Sequence, residues 1–174
     1  MDEYGAVRKI LHWLVAILVV GQIGLGAELA YAPPADNALT GQLYGVHQGL
    51  GATILVLMLL RLVLRLILGV PVPPRGVPRF AEWLAGLNHR LLYLLLIAQP
   101  IIGYLRNGAA GHDWSIFGYY TIPSIIAKNA VLADALKEAH EAVGAALIVL
   151  ILLHLLGAFY HGVIRRDGVV QRMA

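Results

Sequence analysis

The sequence predicts an all-α integral membrane protein: one domain over residues 1–174, folded as a bundle of four spanning helices. Three observations carry that prediction. The chain is 59% hydrophobic and only 13% charged, with mean hydropathy +0.74, and a soluble domain cannot make a largely polar surface from so few polar residues. Four stretches, about 10–30, 44–68, 87–105 and 138–163, supply the roughly 20 apolar residues that cross a hydrocarbon core about 30 Å thick. The basic residues also segregate. Arg8, Lys9, Arg61, Arg65, Arg75, Arg79, Arg90, Arg165, Arg166 and Arg172 fall at one side of these spans, and only Arg106, Lys128 and Lys137 at the other. That bias places both termini in the cytoplasm. It also accounts for the net charge of +3 without invoking nucleic acid.

The first stretch is too long for a removable signal, carries His12 and Gln22, and lacks a small-residue cleavage site, so it is expected to remain as a span. A turn follows at Tyr31-Ala-Pro-Pro-Ala-Asp-Asn37, where the prolines cannot continue a helix. Between the second and third spans, Val70-Pro-Val-Pro-Pro-Arg-Gly-Val-Pro78 is expected to be extended, before an amphipathic lead-in around Phe80–Leu87. The external connection, residues 106–137, is long enough to suggest a functional loop or lid, with a short helix near Leu132–Lys137. No internal repeat is apparent. The absence of cysteine excludes disulfides, thiolate-held iron–sulfur clusters and covalent haem attachment.

Histidines carry the chemistry. His140 and His154 are fourteen residues apart, which on a helix is close to four turns and about 21 Å, so both lie on one face near opposite sides of the membrane. A titratable group inside a span is costly and calls for a functional explanation. The topology puts His12 at the cytoplasmic level with His154, and His47 at the external level with His140. Paired neutral imidazoles on facing helices suit the axial positions of haem iron. A structural zinc ion would instead want four protein ligands close together. Ala16, Gly51, Gly144 and Gly157, three or four residues after each histidine, would clear room for a flat macrocycle. The alternative is that the histidines are core groups hydrogen-bonded between helices. Arg61, fourteen residues after His47, and Arg65 one turn on are candidates to pair with haem propionates, or else reach the headgroups as topology anchors. His161, seven residues after His154, falls just cytoplasmic of the inner level.

Ile10-Leu-His-Trp-Leu14, Val46-His-Gln-Gly-Leu50 with Leu55–Arg65, His89 with Tyr93–Gly103, and Leu136-Lys-Glu-Ala-His-Glu141 with His154 follow in order along nearly the whole chain. Taken together they resemble the bacterial cytochrome b561 family, including small four-helix members described as superoxide:ubiquinone oxidoreductases. The resemblance implies a multi-pass protein of the bacterial inner membrane, with lipid around it and two haem b groups held by His12/His154 and His47/His140. It implies ubiquinone as acceptor near the cytoplasmic side, and superoxide or another external electron donor. His161 matches a family histidine associated with the quinone, and His89 and Arg79 are further candidates at that site. Lys137 and Arg106, with Lys128, are candidates to steer a small anion, although Asp113, Asp134, Glu138 and Glu141 dilute the charge. His112 reads as a surface residue. Two other functions stay open: an electron-carrier subunit serving a separate dehydrogenase or hydrogenase, and a non-redox membrane bundle.

Overall fold

The computed structural model describes residues 4–31, 38–71 and 77–173. Its frame is four helices, α1 (Ala6–Tyr31), α2 (Ala38–Leu68), α3 (Arg79–Ala109) and α4 (Ala130–Phe159), the last running into a π-helical segment, Tyr160–Arg165. All four are long and apolar enough to cross a membrane. A two-stranded antiparallel hairpin, β1 (Trp114–Ile116) and β2 (Tyr120–Ile122), lies between α3 and α4, with Ser115 opposite Thr121.

The spans are where hydropathy puts them, but the helices reach beyond the apolar stretches. The lead-in at Phe80–Leu87 is continuous with α3, and Leu132–Lys137 forms the opening turns of α4 rather than a separate helix. The connection expected over 106–137 therefore contracts to 110–129, putting Arg106 on α3 and Lys137 on α4. The Asn129 side chain accepts the Leu132 N–H at 3.1 Å, an N-cap that lets α4 begin well outside the apolar stretch. Residues 32–37 and 72–76, which hold most of the expected turn and of the proline-rich connection, lie outside the described residues.

The helices pack in series, α1 on α2, α2 on α3 and α3 on α4. Among the described residues, α4 makes no comparable backbone contact with α1 or α2. The buried core is a layer at mid-height: Val15 and Val19 of α1 with Ile54 and Met58 of α2, joined by Tyr93, Leu96 and Ile97 of α3 and Ile151 of α4. Outward-facing Ile17, Val56, Leu94 and Val149 are exposed in the protein alone; against lipid tails such residues need no cover. At one end the Arg8 guanidinium donates to the Gly69 carbonyl (2.7 Å) and the Trp13 indole to the Met173 carbonyl (2.8 Å). The start of α1, the end of α2 and the C-terminal segment therefore meet on one side of the bundle.

At the opposite end the hairpin is pinned to α2. The Phe117 amide donates to the Gly45 carbonyl (3.1 Å), and the Ser115 amide to Gln48 Oε1 (2.6 Å). Phe117 turns the hairpin with φ 53°, followed by Gly118 at 78°, and its ring lies flat against Gly49. A Cβ on Gly49 would stand 2.6 Å from that ring. Gly49→Ala should therefore lift the hairpin and lower stability by about 1–3 kcal/mol, measured as a fall in melting temperature in detergent. Adding Gly49→Ala to Phe117→Ala should cost little more than Phe117→Ala alone. An unchanged melting temperature for Gly49→Ala would contradict this docking.

Candidate haem sites

The expected pairs are brought together. His47 of α2 faces His140 of α4 with ring centroids 6.2 Å apart. At the other level His12 of α1 faces His154 of α4 at 6.1 Å. Imidazole nitrogen binds a first-row metal at about 2 Å, so rings on opposite sides of one iron have centroids about 6 Å apart. Both pairs have that spacing, and both bridge α4 to a helix against which its backbone does not pack. Among the described residues no three His, Asp or Glu cluster as they would around a bare metal ion.

The outer pair is held by helices that do not carry it. Gln22 of α1 donates to the His47 carbonyl, and Gln99 of α3 to the His140 carbonyl, both at 2.9 Å. One turn further on, a Cβ on Gly26 would lie 3.5 Å from His47 Cε1, and one on Gly103 would lie 3.2 Å from His140 Cε1. The glycines that admit the imidazoles are thus Gly26 and Gly103. Gly51 and Gly144, expected to clear a macrocycle, instead face Gln22 Nε2 and Gln99 Nε2 at 3.5 and 3.4 Å. Nδ1 of both histidines and Oε1 of both glutamines are buried without a partner. Buried polar atoms are rarely left so, and their concentration at one level suits a site completed by a prosthetic group.

Parts of this arrangement recur along the chain. A shift of 77 residues carries His12, Gln22 and Gly26 of α1 onto His89, Gln99 and Gly103 of α3. A shift of 93 carries His47, Gly51 and Arg61 of α2 onto His140, Gly144 and His154 of α4. These correspondences are confined to a few positions, fall at two different offsets, and pair an arginine with a histidine at the last of them.

At the inner level four positions come together: His12, Arg61, His89 and His154. Arg61 Nη2 lies 3.4 Å from His12 Nδ1, while its Nη1 is buried without a partner. The guanidinium groups of Arg61 and Arg65 stand 5.9 and 5.3 Å from the centre of the Tyr93 ring. His89 is fixed through Nδ1 on the Ala85 carbonyl (2.7 Å), and its ring is 5.1 Å from that of His154. That distance is short for two rings with an iron between them. A Cβ on Gly157 would meet nothing within 4 Å. Arg79 sits on the exposed first turn of α3.

Two further groups complete the inventory. On the hairpin side, Arg106 acts electrostatically on both His47 and His140, whereas Lys137 is exposed and pairs with Glu141 at 3.9 Å, an interaction water weakens. Lys128 packs over Gly111, and His112 is exposed, with its amide on the Asn107 carbonyl. At the opposite end His161 Nδ1 lies 2.7 Å from Asp167 Oδ2, a partner that sequence reasoning missed. Burial works against the Asp167 charge, but the hydrogen bond with His161, the Val169 amide and Arg165 outweigh it and hold the carboxyl below the usual carboxylate range.

Comparison with known proteins identifies the family. Residues 3–174 match the family of prokaryotic cytochrome b561. The chain is 29% identical over 172 residues to cytochrome b561 homolog 2 of Escherichia coli, covering 99% of this chain and 91% of that protein. It is 32% identical over 174 residues to the probable superoxide oxidase CybB of Yersinia pestis, covering 98% and 95%. Cytochrome b562 of Cereibacter sphaeroides is 30% identical over 173 residues, covering 98% and 94%. His140→Ala should lower haem bound per chain and leave a remaining spectrum of b type. Gly103→Val, which leaves both histidines in place, should do the same by crowding His140. Full haem content in both variants, from pyridine haemochrome against protein concentration, would rule out the outer site.

Proposed function

Because this chain belongs to the prokaryotic cytochrome b561 family, a family of transmembrane haem b electron-transfer proteins, we propose that it is a di-haem quinone oxidoreductase of the bacterial inner membrane. In this reading superoxide is oxidised at the external face and ubiquinone is reduced near the cytoplasmic face, where both termini lie. The observation that carries it is the pair of imidazole couples at 6.2 and 6.1 Å on one helix.

His47 and His140 would hold the outer haem and His12 and His154 the inner, and each haem would supply a one-electron couple. The chain's own residues do the rest. Gln22 and Gln99 each donate to the backbone carbonyl of an outer histidine and so tie α1 to α2 and α3 to α4 at that level. Val15, Val19, Ile54 and Met58 fill the space between the levels and keep water out of it. Arg61, with its inward guanidinium, and Arg65 supply positive charge for propionates at the inner level.

Outside, Arg106 is the cation best placed to attract a small anion toward the outer imidazoles, with Lys137 and Lys128 as weaker contributors. Inside, His161 donates to a quinone carbonyl, and His89 and Arg79 lie at the same end of the bundle. The name superoxide oxidase belongs to a relative at 32% identity; the reading for this chain rests on that relative, the basic residue beside the outer pair and the histidine beyond the inner one.

Stopped-flow mixing of the oxidised protein with superoxide should reduce haem within the mixing experiment and, with ubiquinone present, yield quinol. Arg106→Gln should slow that reduction by about threefold and flatten its dependence on salt. Haem that superoxide does not reduce would remove superoxide as donor and leave a carrier serving a separate dehydrogenase or hydrogenase.

A further inference from the structure

The chain reverses direction after the π-helical segment. Arg166 takes the left-handed conformation with φ 53° and Gly168 follows at 79°, which turns residues 167–173 back beneath the bundle. Three contacts hold the return. Val170 packs on Gly162, where a Cβ would stand 3.3 Å from its methyl. The Met173 amide donates to the Val170 carbonyl at 2.9 Å, and the Met173 carbonyl accepts from the Trp13 indole at 2.8 Å. Trp13 is the residue after the inner histidine His12, so the tail is tied to the helix that carries that level.

The reversal delivers one carboxylate onto one imidazole. Asp167 Oδ2 lies 2.7 Å from His161 Nδ1 and 3.4 Å from Arg165 Nε, and the Val169 amide lies 3.4 Å from Oδ1. The side chains of His161 and Asp167 are only 17% and 14% exposed, and that of Arg165 24%. The Tyr160 ring closes one side of the imidazole at 5.6 Å. A carboxylate on Nδ1 fixes a proton on that nitrogen and, with it, the orientation of the ring.

We propose that Asp167 is the positioning residue for His161 in quinone reduction, holding its Nδ1–H so that Nε2 presents a proton to a quinone carbonyl oxygen. This rests on the reading that ubiquinone is reduced at this end. Ubiquinone becomes ubiquinol by taking two electrons, delivered singly by the one-electron donor, and two protons. For one of these protons the Nε2–H bond of the imidazolium breaks as the O–H bond forms. The neutral imidazole keeps Nδ1–H on Asp167, and cytoplasmic water reprotonates Nε2 and delivers the second proton to the other carbonyl oxygen. With Nδ1 engaged, the ring has one nitrogen to offer and one orientation in which to offer it. Without the carboxylate either nitrogen can carry the proton, and the correct form is only one of several.

The test uses full-length protein in detergent or nanodiscs, reduced beforehand with dithionite and mixed with ubiquinone-1, so the natural donor does not enter. Asp167→Asn keeps the size of the side chain, and haem content and melting temperature report whether the tail stays in place. Reoxidation should fall by about ten- to a hundredfold in its limiting rate, with the half-saturating quinone concentration little changed. The solvent deuterium isotope effect should rise, and Asp167→Glu should recover most of the rate. His161→Ala should be at least as slow, and Asp167→Asn should add nothing to it. Wild-type rate and isotope effect in Asp167→Asn, with His161→Ala still slow, would overturn the proposal alone. Wild-type rate in His161→Ala would instead overturn the placement of the quinone. A change only in half-saturation, or no recovery with glutamate, would make Asp167 a structural residue and also overturn the proposal.

Discussion

His140 and His154 share one stripe of α4, and each meets an imidazole from another helix across about 6 Å. The rest of the structure follows from keeping those gaps open. α4 packs its backbone on α3 but stands off from α1 and α2, and of its residues only Leu147 is fully buried. A helix so placed meets α1 and α2 through its two histidines, with Ile151 against the apolar core between them. In lipid there is little hydrophobic force to close such gaps, because the tails are as apolar as the side chains. Specific polar and small residues must set the distances instead, and Gln22, Gln99, Gly26 and Gly103 do so at the outer level.

The two levels differ in how corresponding positions of α1 and α3, and of α2 and α4, are filled. At the outer level His47 and His140 correspond in this way, and so do the glutamines and glycines that support them. At the inner level the four related positions are filled unequally, by His12, Arg61, His89 and His154. An iron with two axial imidazoles uses only two of these. The inner level thus has an arginine and a histidine to spare beside its couple. The outer level has none, and its added features are the docked hairpin that follows α3 and Arg106 near the end of α3.

Much of this was legible in the sequence, for physical reasons that also mark where legibility stops. Bilayer thickness fixes the length of a span, so the four helices could be counted, but their polar extensions at Ala38, Arg79 and Ala130 lie outside the region where hydropathy speaks. The helical period fixes depth, so His12 could be matched with His154 and His47 with His140 before any contact was known. Rotation about a helix axis is not fixed in the same way. Glycines three or four residues from a ligand on its own helix therefore seemed the natural clearance, while Gly26 and Gly103 acted from neighbouring helices. The hairpin has strands of three residues, too short to leave a periodic trace. Asp167 was hidden by the chain reversal at Arg166 and Gly168, which turns six residues of separation into a hydrogen bond.

The account stands on two bis-imidazole haem levels in one chain. Pyridine haemochrome titration of the purified protein against quantitative amino-acid analysis measures that directly, with low-temperature electron paramagnetic resonance of the oxidised form to read the axial ligands. The account predicts two haem b per chain, both low-spin with two imidazoles. One haem per chain, none, or a high-spin signal from a centre lacking its second imidazole would contradict it.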